Sequence, residues 1–269
     1  MKLYLYLKPT QLEVLRQACL PFTPIAQRPD PFEWNRACIE KKPEFRPISD
    51  EEFHQELKRQ YQALPEAMRA LVKFDYFCKQ CAQKRPQIEA GMRKQSQPKA
   101  KVLPDTSKYH TLARCQFFKR VTNPLLWDKY AHQYSGLVLE FEGRHPYFSA
   151  SKNQWLTPVT YGKERPSAQK QGHLFPGLSH APLEYAAEEE IRLIRPQAQA
   201  KQQEDKTGLC WYPFPPQALL SVTVGLQMPP AALTQVRRLL EYDMRYKGKA
   251  LRRLLLDPDE YKLHTRATL

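Results

Sequence analysis

Two glutamates late in the chain have the type and spacing of a catalytic acid pair. Glu188 and Glu190 lie two residues apart, and Arg192 follows after the same interval. Because residues two apart share one face of a β-strand, we expect the three side chains to project together. When two carboxylates lie close together, the pKa of one of them is raised, whereas a nearby guanidinium lowers the pKa of both. Such a set can hold sugar hydroxyls and stabilise a developing positive charge, so these three residues are candidate catalytic residues.

The acids also have a structural interpretation. The segment 184–190 can form a solvated acidic edge, or pair with the surplus lysines and arginines of the chain. The apolar run Ile191 to Ile194, interrupted only by Arg192, instead favours a buried strand directly after the acids. We therefore expect the carboxylates to line a cleft, although the local pattern leaves both interpretations open.

An aromatic segment is the second part of the expected site. Trp127, Tyr130 and Tyr134 recur at the spacing of one helix face, which indicates either a core stripe or a ligand platform. The helix is expected over about 123–133, and a strand of about 136–142 follows it. Gly136 permits a positive φ and is predicted to cap the helix.

The positive charge of the chain favours an anionic partner. A formal net charge of +14 attracts phosphates over long range, and basic residues concentrate at 84–120 and 237–253. We expect nucleic acid as the partner, with a solvated basic surface as the alternative. The residues expected to contact nucleic acid are Arg114, Lys119, Arg120, Arg237 and Arg238.

Other classes are disfavoured by composition. The N-terminus has no apolar signal region, and no segment approaches 18 uninterrupted apolar residues, so we expect a cytoplasmic protein without membrane contact. Six scattered cysteines do not form a disulfide scaffold in 269 residues. Cys78 and Cys81 lack the further ligands of a zinc site, and no metal is expected.

The predicted fold class is α+β, with a central, mostly antiparallel or mixed sheet and flanking helices. Residues 1–269 are expected to form a single domain. Ser49 and Glu52 form a capping box at the start of a helical insertion of about 49–83. The segment 84–108 combines charge with prolines and is predicted to be a flexible basic connection. Prolines also predict a long irregular loop over 21–48.

Several motifs follow one another along the chain: Leu3-Tyr4-Leu5-Tyr6, Asp30-Pro31-Phe32-Glu33, Cys115-x-Phe117, Asn123 to Tyr130, Gly136, Phe141 and Glu188-x-Glu190-x-Arg192. In this order they resemble a bacterial family known as domain of unknown function 2971. Departures include Leu5 where members have lysine and Pro29 where they have asparagine. The family name implies no activity.

A weaker resemblance is to ADP-ribosyltransferases, in which an aromatic or cationic first strand, an aromatic segment and a late glutamate frame an NAD cleft. It implies an ADP-ribosyltransferase-like sheet, with NAD as substrate. Glu190 would hold the ribose hydroxyl and stabilise oxocarbenium-like charge, while Glu188 would assist the acceptor and Arg192 would steady both. The implied NAD contacts are Tyr4, Tyr6, Arg28, Trp127 and Tyr130.

With the net positive charge, this resemblance implies a nucleic-acid acceptor, either single-stranded RNA or DNA. Enzymes of this kind occur in phage defence and toxin–antitoxin systems, where an antitoxin protein would be a further partner. Two other functions remain open. One is a noncatalytic module that binds nucleic acid or a partner protein, and the other is a nuclease that uses Asp30, Glu188 and Glu190 around a divalent ion.

Overall fold

The computed structural model describes residues 1–27, 47–95, 110–149, 151, 154–164 and 176–267. The helices in these ranges are α1 (Glu13–Gln17), α2 (Asp50–Gln62), α3 (Glu66–Leu71), α4 (Phe74–Ala82), α5 (Arg85–Gln95), α6 (Pro124–Lys129), α7 (Pro176–Ser179) and α8 (Pro230–Tyr242). The strands are β1 (Lys2–Leu7), β2 (Cys19–Pro24), β3 (Leu112–Phe118), β4 (Leu137–Glu142), β5 (Trp155–Pro158), β6 (Thr160–Gly162), β7 (His180–Pro182), β8 (Glu190–Pro196), β9 (Gln202–Gln203), β10 (Cys210–Pro213), β11 (Leu219–Val224), β12 (Ala250–Leu256) and β13 (Leu263–Ala267).

Eleven of these strands form one sheet, in the order β13-β12-β11-β4-β1-β3-β2-β10-β9. Strand β8 also pairs with β3, and β5 pairs with β8. The pairing is antiparallel except between β11 and β12, which are parallel. A mixed, mostly antiparallel sheet with helices confirms the predicted α+β class.

The sheet has one apolar face, because strand residues alternate in direction. Leu3, Leu5 and Leu7 of β1 are buried there, together with alternate residues of β3, β4 and β8. Helix α8 covers this face through Val236 and Leu240. Burial of each large apolar side chain contributes about 1.5–3 kcal/mol, so this layer is a main source of stability.

The opposite face mixes aromatic and charged side chains. Tyr4 and Tyr6 lie on it, and helix α6 packs there through Leu126 and Trp127. The strand register aligns Tyr4 with Phe118 on one side and Glu140 on the other, and Phe118 with Glu190. Glu140 and Glu190 therefore occupy one row, roughly 14 Å apart across three strand spacings.

The helical segment belongs to a compact unit, Glu40–Pro104, separate from the unit formed by Met1–Ile39 and Asp105–Leu269. Ser49 accepts a hydrogen bond from the Glu52 amide and Glu52 accepts one from the Ser49 amide, which confirms the capping box. Tyr61 packs against Phe74, with ring centroids 5.2 Å apart. The Tyr61 hydroxyl donates to the Val72 carbonyl at the end of α3, so Tyr61 links α2 to both α3 and α4.

Several predicted boundaries are wrong. Residues 85–95 form helix α5, where a flexible segment was expected, while 96–108 lie outside the described residues. Strand β2 runs through Pro21 and Pro24, because pairing with β10 and β3 does not need every amide of that strand. The strand expected to carry Glu188, Glu190 and Arg192 begins only at Glu190.

In the ranges given above, the longest and most apolar helices are too short or too polar to cross a lipid bilayer.

Candidate functional site

Glu190 lies in a buried ion pair. Its carboxylate oxygens accept from Arg192, Nε to Oε1 at 3.0 Å and Nη2 to Oε2 at 3.0 Å, and only 4% of the residue is exposed. Gln116 Nε2 donates to Oε1 at 2.7 Å. Arg192 also donates through Nη1 to the Leu178 carbonyl at 2.9 Å. These bonds compensate the burial of both charges and hold β8 against β3 and α7.

Glu188 has different surroundings. Lys129 Nζ donates to its Oε1 at 2.7 Å, and the Tyr130 hydroxyl donates to its Oε2 at 3.0 Å. The Lys129 nitrogen also lies 5.1 Å from the ring centroid of Tyr185, which is exposed. We call Glu188, Lys129, Tyr130 and Tyr185 the Glu188 cluster. A carboxylate with two donors keeps further lone pairs that can accept from a ligand.

The electrostatics of the Glu188 cluster favour fixed protonation states. Burial raises the pKa of the Tyr130 phenol above its ordinary value, and the negative charge of Glu188 raises it further. Burial acts to lower the pKa of Lys129, but the hydrogen bonds and charge interactions with Glu188 and Tyr130 together outweigh burial, and the pKa is raised. Tyr130 therefore stays a donor and Lys129 stays charged.

The backbone separates the two carboxylates. Residues Leu183–Glu188 form a 3-10 helix, and Glu189 ends it in the left-handed region at φ 51°. Because of this turn, Glu188 does not share a strand face with Glu190, and the expected side-by-side carboxylates are wrong. Glu189 itself pairs with Arg120.

Asn123 joins helix α6 to the acidic segment. Its Oδ1 accepts from the Leu125 amide at 3.1 Å, which caps the helix, and its Nδ2 donates to the Ala187 carbonyl at 2.6 Å. The aromatic and acidic segments, expected to converge from the sequence, are therefore adjacent.

A left-handed turn holds the far end of α6. His132, Gln133 and Tyr134 have φ values of 48°, 53° and 64°, a conformation that costs about 1–2 kcal/mol per residue. Ser135 Oγ donates to the His132 carbonyl at 2.6 Å. A Cβ on Gly136 would lie 2.0 Å from the Leu7 carbonyl oxygen. Gly136 does not have the positive φ expected of a cap; it permits close contact with β1.

Three predicted NAD contacts, Tyr4, Tyr6 and Trp127, are core residues. Trp127 has no exposed surface, and its Nε1 donates to the Val121 carbonyl at 2.6 Å. Tyr6 packs edge-on against Trp127, with centroids 5.4 Å apart, and donates to the Arg120 carbonyl. Neither ring is accessible for stacking on nicotinamide. Tyr130 is partly exposed and belongs to the Glu188 cluster, while Arg28 and Asp30 lie outside the described residues.

The predicted nucleic-acid contacts are divided between locations. Arg114 is 2% exposed, so its assignment as a surface contact is wrong. Lys119 and Arg120 are exposed directly after β3, and Arg120 pairs with Glu189 beside the Glu188 cluster. Arg237 and Arg238 are exposed on α8, which packs against the opposite face of the sheet.

Lys129 and Tyr185 were missed as site residues. The sequence offers one signal, because Lys129 lies in the aromatic segment and Tyr185 lies close to the two glutamates. The contact between Lys129 and Tyr185, however, depends on the turn at Glu189. Glu140 was missed as well, although a lone acid within Leu-Val-Leu-Glu-Phe is a local sign of a special environment.

Comparison with protein-family models, with curated proteins and with solved structures finds no match for the chain. The resemblances drawn from the sequence therefore stay predictions. Among the residues with described positions, no three His, Cys, Asp or Glu side chains converge as a metal-binding group. The function is argued from the Glu188 cluster and its surroundings.

Proposed function

We propose that the chain is an NAD-dependent ADP-ribosyltransferase that modifies nucleic acid, with Glu188 as the carboxylate that contacts substrate. The observation that carries the proposal is the meeting of Glu188 with Lys129 and Tyr130, from segments about 60 residues apart in sequence, beside an exposed Tyr185. A carboxylate next to aromatic rings suits NAD, because the positive charge of the nicotinamide ring passes to the ribose as neutral nicotinamide departs.

The proposed reaction is one glycosyl transfer. The bond between C1′ of the ribose and the nicotinamide nitrogen breaks, and its electron pair leaves with nicotinamide. A lone pair on the acceptor nitrogen or oxygen forms the new bond to C1′, and the acceptor proton passes to the Glu188 carboxylate and then to water. Glu188 accepts from a ribose hydroxyl and stabilises the positive charge that develops.

Glu190 and Arg192 are positioning residues in this proposal. Both oxygens of Glu190 already accept from Arg192, and the pair is buried, so Glu190 does not contact the sugar. The pair instead holds the start of β8, from which the Glu189 turn presents Glu188. The role that the sequence assigned to Glu190 thus passes to Glu188.

Lys119 and Arg120 are the proposed contacts for the acceptor phosphates, because Arg120 borders the acidic segment through Glu189. We place the reaction in the cytoplasm, where NAD and RNA are both available, and include an antitoxin that covers the Glu188 cluster as a further proposed partner. Arg237 and Arg238 lie on the other face of the sheet and do not contribute to this acceptor site.

Transfer of label tests the proposal. Protein is incubated with NAD labelled in its adenylate phosphate and with single-stranded RNA or DNA oligonucleotides, and labelled nucleic acid is resolved on a gel. We expect labelling that Glu188→Gln lowers at least about 100-fold. Glu184→Gln, an exposed acid on the same 3-10 helix, is the matched control and should label as well as the original chain.

A noncatalytic nucleic-acid module is the second candidate, and the separate exposed pair Arg237 and Arg238 favours it. Phosphate contacts release counterions, so binding then weakens steeply with salt. This candidate is supported if oligonucleotide binding depends on Arg237 and Arg238 while no label is transferred. The nuclease alternative has no supporting contact in the part of the chain described here.

A further inference from the structure

A second group of polar side chains lies on the aromatic face of the sheet, apart from the Glu188 cluster. Glu140 of β4 is 6% exposed, and it accepts from Ser221 Oγ at 2.6 Å and from Lys2 Nζ at 2.5 Å. Tyr4 stands opposite Glu140 on β1, and Arg252 shares the face from β12. We call Lys2, Tyr4, Glu140, Ser221 and Arg252 the sheet-face cluster.

The strands place this cluster through a β-bulge. Between β11 and β4, Leu219 pairs with Phe141 and Ser221 with Glu140, so Leu220 is an extra residue. In a regular strand without the bulge, Ser221 would share the apolar face with Leu219, because residues two apart point to the same side. The bulge therefore directs a hydroxyl to the buried carboxylate, a common use of bulges next to functional sites.

The charges in the cluster act on one another. Burial raises the pKa of Tyr4, the negative charge of Glu140 adds to the rise, and the positive charges of Lys2 and Arg252 oppose it. The hydrogen bond and negative charge of Glu140 raise the pKa of Lys2, while Arg252 lowers it. All four groups are thus within electrostatic reach.

Arg252 has no counter-ion among the residues the structure describes. It is half-buried, its Nε is buried without a hydrogen-bond partner, and the single carboxylate of the cluster is held by Lys2 and Ser221. Withdrawing a guanidinium from water without a partner costs free energy. Neighbouring Arg253 points to the other face and is exposed.

We infer that the sheet-face cluster is a binding site for the phosphate group of a small molecule. Arg252 would bind two phosphate oxygens through its planar fork, since guanidinium geometry matches phosphate. Lys2, whose side chain is half exposed, would supply a second positive charge, and the Tyr4 hydroxyl a neutral donor. Glu140 would position Lys2 and Ser221 and oppose the bound anion.

Titration calorimetry in about 150 mM salt tests the site, an ionic strength at which weak surface attraction is largely screened. The probes are inorganic pyrophosphate and NAD, each added to the full chain. We expect Arg252→Gln to weaken binding about 10- to 100-fold, the effect of one hydrogen-bonded charge. Arg253→Gln, the matched control on the same strand, should bind within about twofold of the original chain.

Glu140→Gln gives a test of opposite sign. It removes a negative charge beside the phosphate and keeps an oxygen that accepts from Ser221, so the affinity for pyrophosphate should rise about tenfold. Arg252→Lys keeps the positive charge without the planar guanidinium, so its affinity for pyrophosphate should lie between those of Arg252→Gln and the original chain. Urea unfolding midpoints of every variant show whether a loss of binding reflects a loss of folding.

The inference is overturned if pyrophosphate and NAD do not bind the original chain. It is also overturned if Arg253→Gln weakens binding as much as Arg252→Gln, which would indicate surface charge alone, or if Glu140→Gln weakens it in a folded protein. NAD binding that Arg252→Gln weakens identifies a dinucleotide phosphate as the ligand of this site, whereas NAD binding that Arg252→Gln leaves unchanged is assigned to the Glu188 cluster. Arg252-dependent binding of pyrophosphate alone identifies the free anion as the ligand. Both results are independent of label transfer, so the proposed transferase can fail while this site stands.

Discussion

At the scale of single residues, the buried pair of Glu190 and Arg192 has a testable energetic role. Arg192→Met keeps side-chain volume but leaves a buried carboxylate without its ion-pair partner. We expect the free energy of unfolding to fall by about 3–5 kcal/mol, measured by urea denaturation. The control is the double variant with Glu190→Gln, which removes both charges and should recover part of the loss. A single variant that loses less than about 1 kcal/mol would contradict this account.

The types and spacing of residues in the sequence predicted only part of the candidate site. Glu188 and Glu190 were predicted as site residues because residue type and spacing can be read directly from the sequence. The same motifs predicted that the acidic segment lies near Tyr130. The relative direction of the two glutamates was not predictable, since it depends on the left-handed conformation of Glu189, which glutamate rarely adopts. Glu190 pairs with Arg192 and not with a ligand because both side chains are buried. Their burial depends on the pairing of distant strands, which the local sequence does not show.

At the scale of elements, Gly136 holds helix α6 and strand β1 together. Gly136→Ala would place its Cβ 2.0 Å from the Leu7 carbonyl oxygen, so backbone must move. We expect a loss of more than about 2 kcal/mol in urea unfolding and faster hydrogen exchange in α6.

Gly91→Ala is the matched control for this change. Nothing lies within 4 Å of its Cβ position, and it occupies a helix, where alanine is favoured over glycine by about 1 kcal/mol. Gly91→Ala should leave the free energy of unfolding unchanged or raise it. Equal destabilisation by the two substitutions would contradict the close approach at Gly136.

Elements with strong local signals were predictable, and those made by pairing were not. The capping box of α2 was predictable, because Ser49 and Glu52 are close in sequence. Strand β2 was missed because Pro21 and Pro24 argue against regular structure locally, whereas pairing with β10 and β3 stabilises it. Helix α5 was missed for a related reason, since its charge and Pro86 resemble a linker.

At the scale of the whole molecule, buried tyrosines should make the fold sensitive to alkali. Burial raises the pKa of Tyr246 from 10.0 to about 12, and its hydroxyl donates to the Leu15 carbonyl at 2.6 Å. Burial likewise raises the pKa of Tyr161, to about 12. Because the pKa of each phenol is higher in the folded state than in the unfolded state, the protonated phenol stabilises the fold fully below pH 10. This stabilisation is lost as the pH rises towards 12.

We therefore expect the free energy of unfolding to fall between about pH 10 and 12, by about 2–3 kcal/mol for Tyr246 alone. The measurement is urea unfolding across this range, followed with tyrosine absorbance. Tyr246→Phe should be less stable at neutral pH and lose less on going to alkali, while Tyr242→Phe, at an exposed ring, should behave as the original chain does. An identical alkaline loss in Tyr246→Phe would contradict the assignment.

The sheet has one apolar face and one face that mixes aromatic and charged side chains. The central claim is that Glu188, beside the second face, acts on NAD. Release of nicotinamide from NAD, followed by chromatography in the presence of the oligonucleotide acceptor, measures this most directly. The account predicts release by the original chain and by Glu184→Gln, and a loss of at least about 100-fold in Glu188→Gln at an unchanged unfolding midpoint. Release that is undiminished in Glu188→Gln, or no release by the original chain, would contradict it.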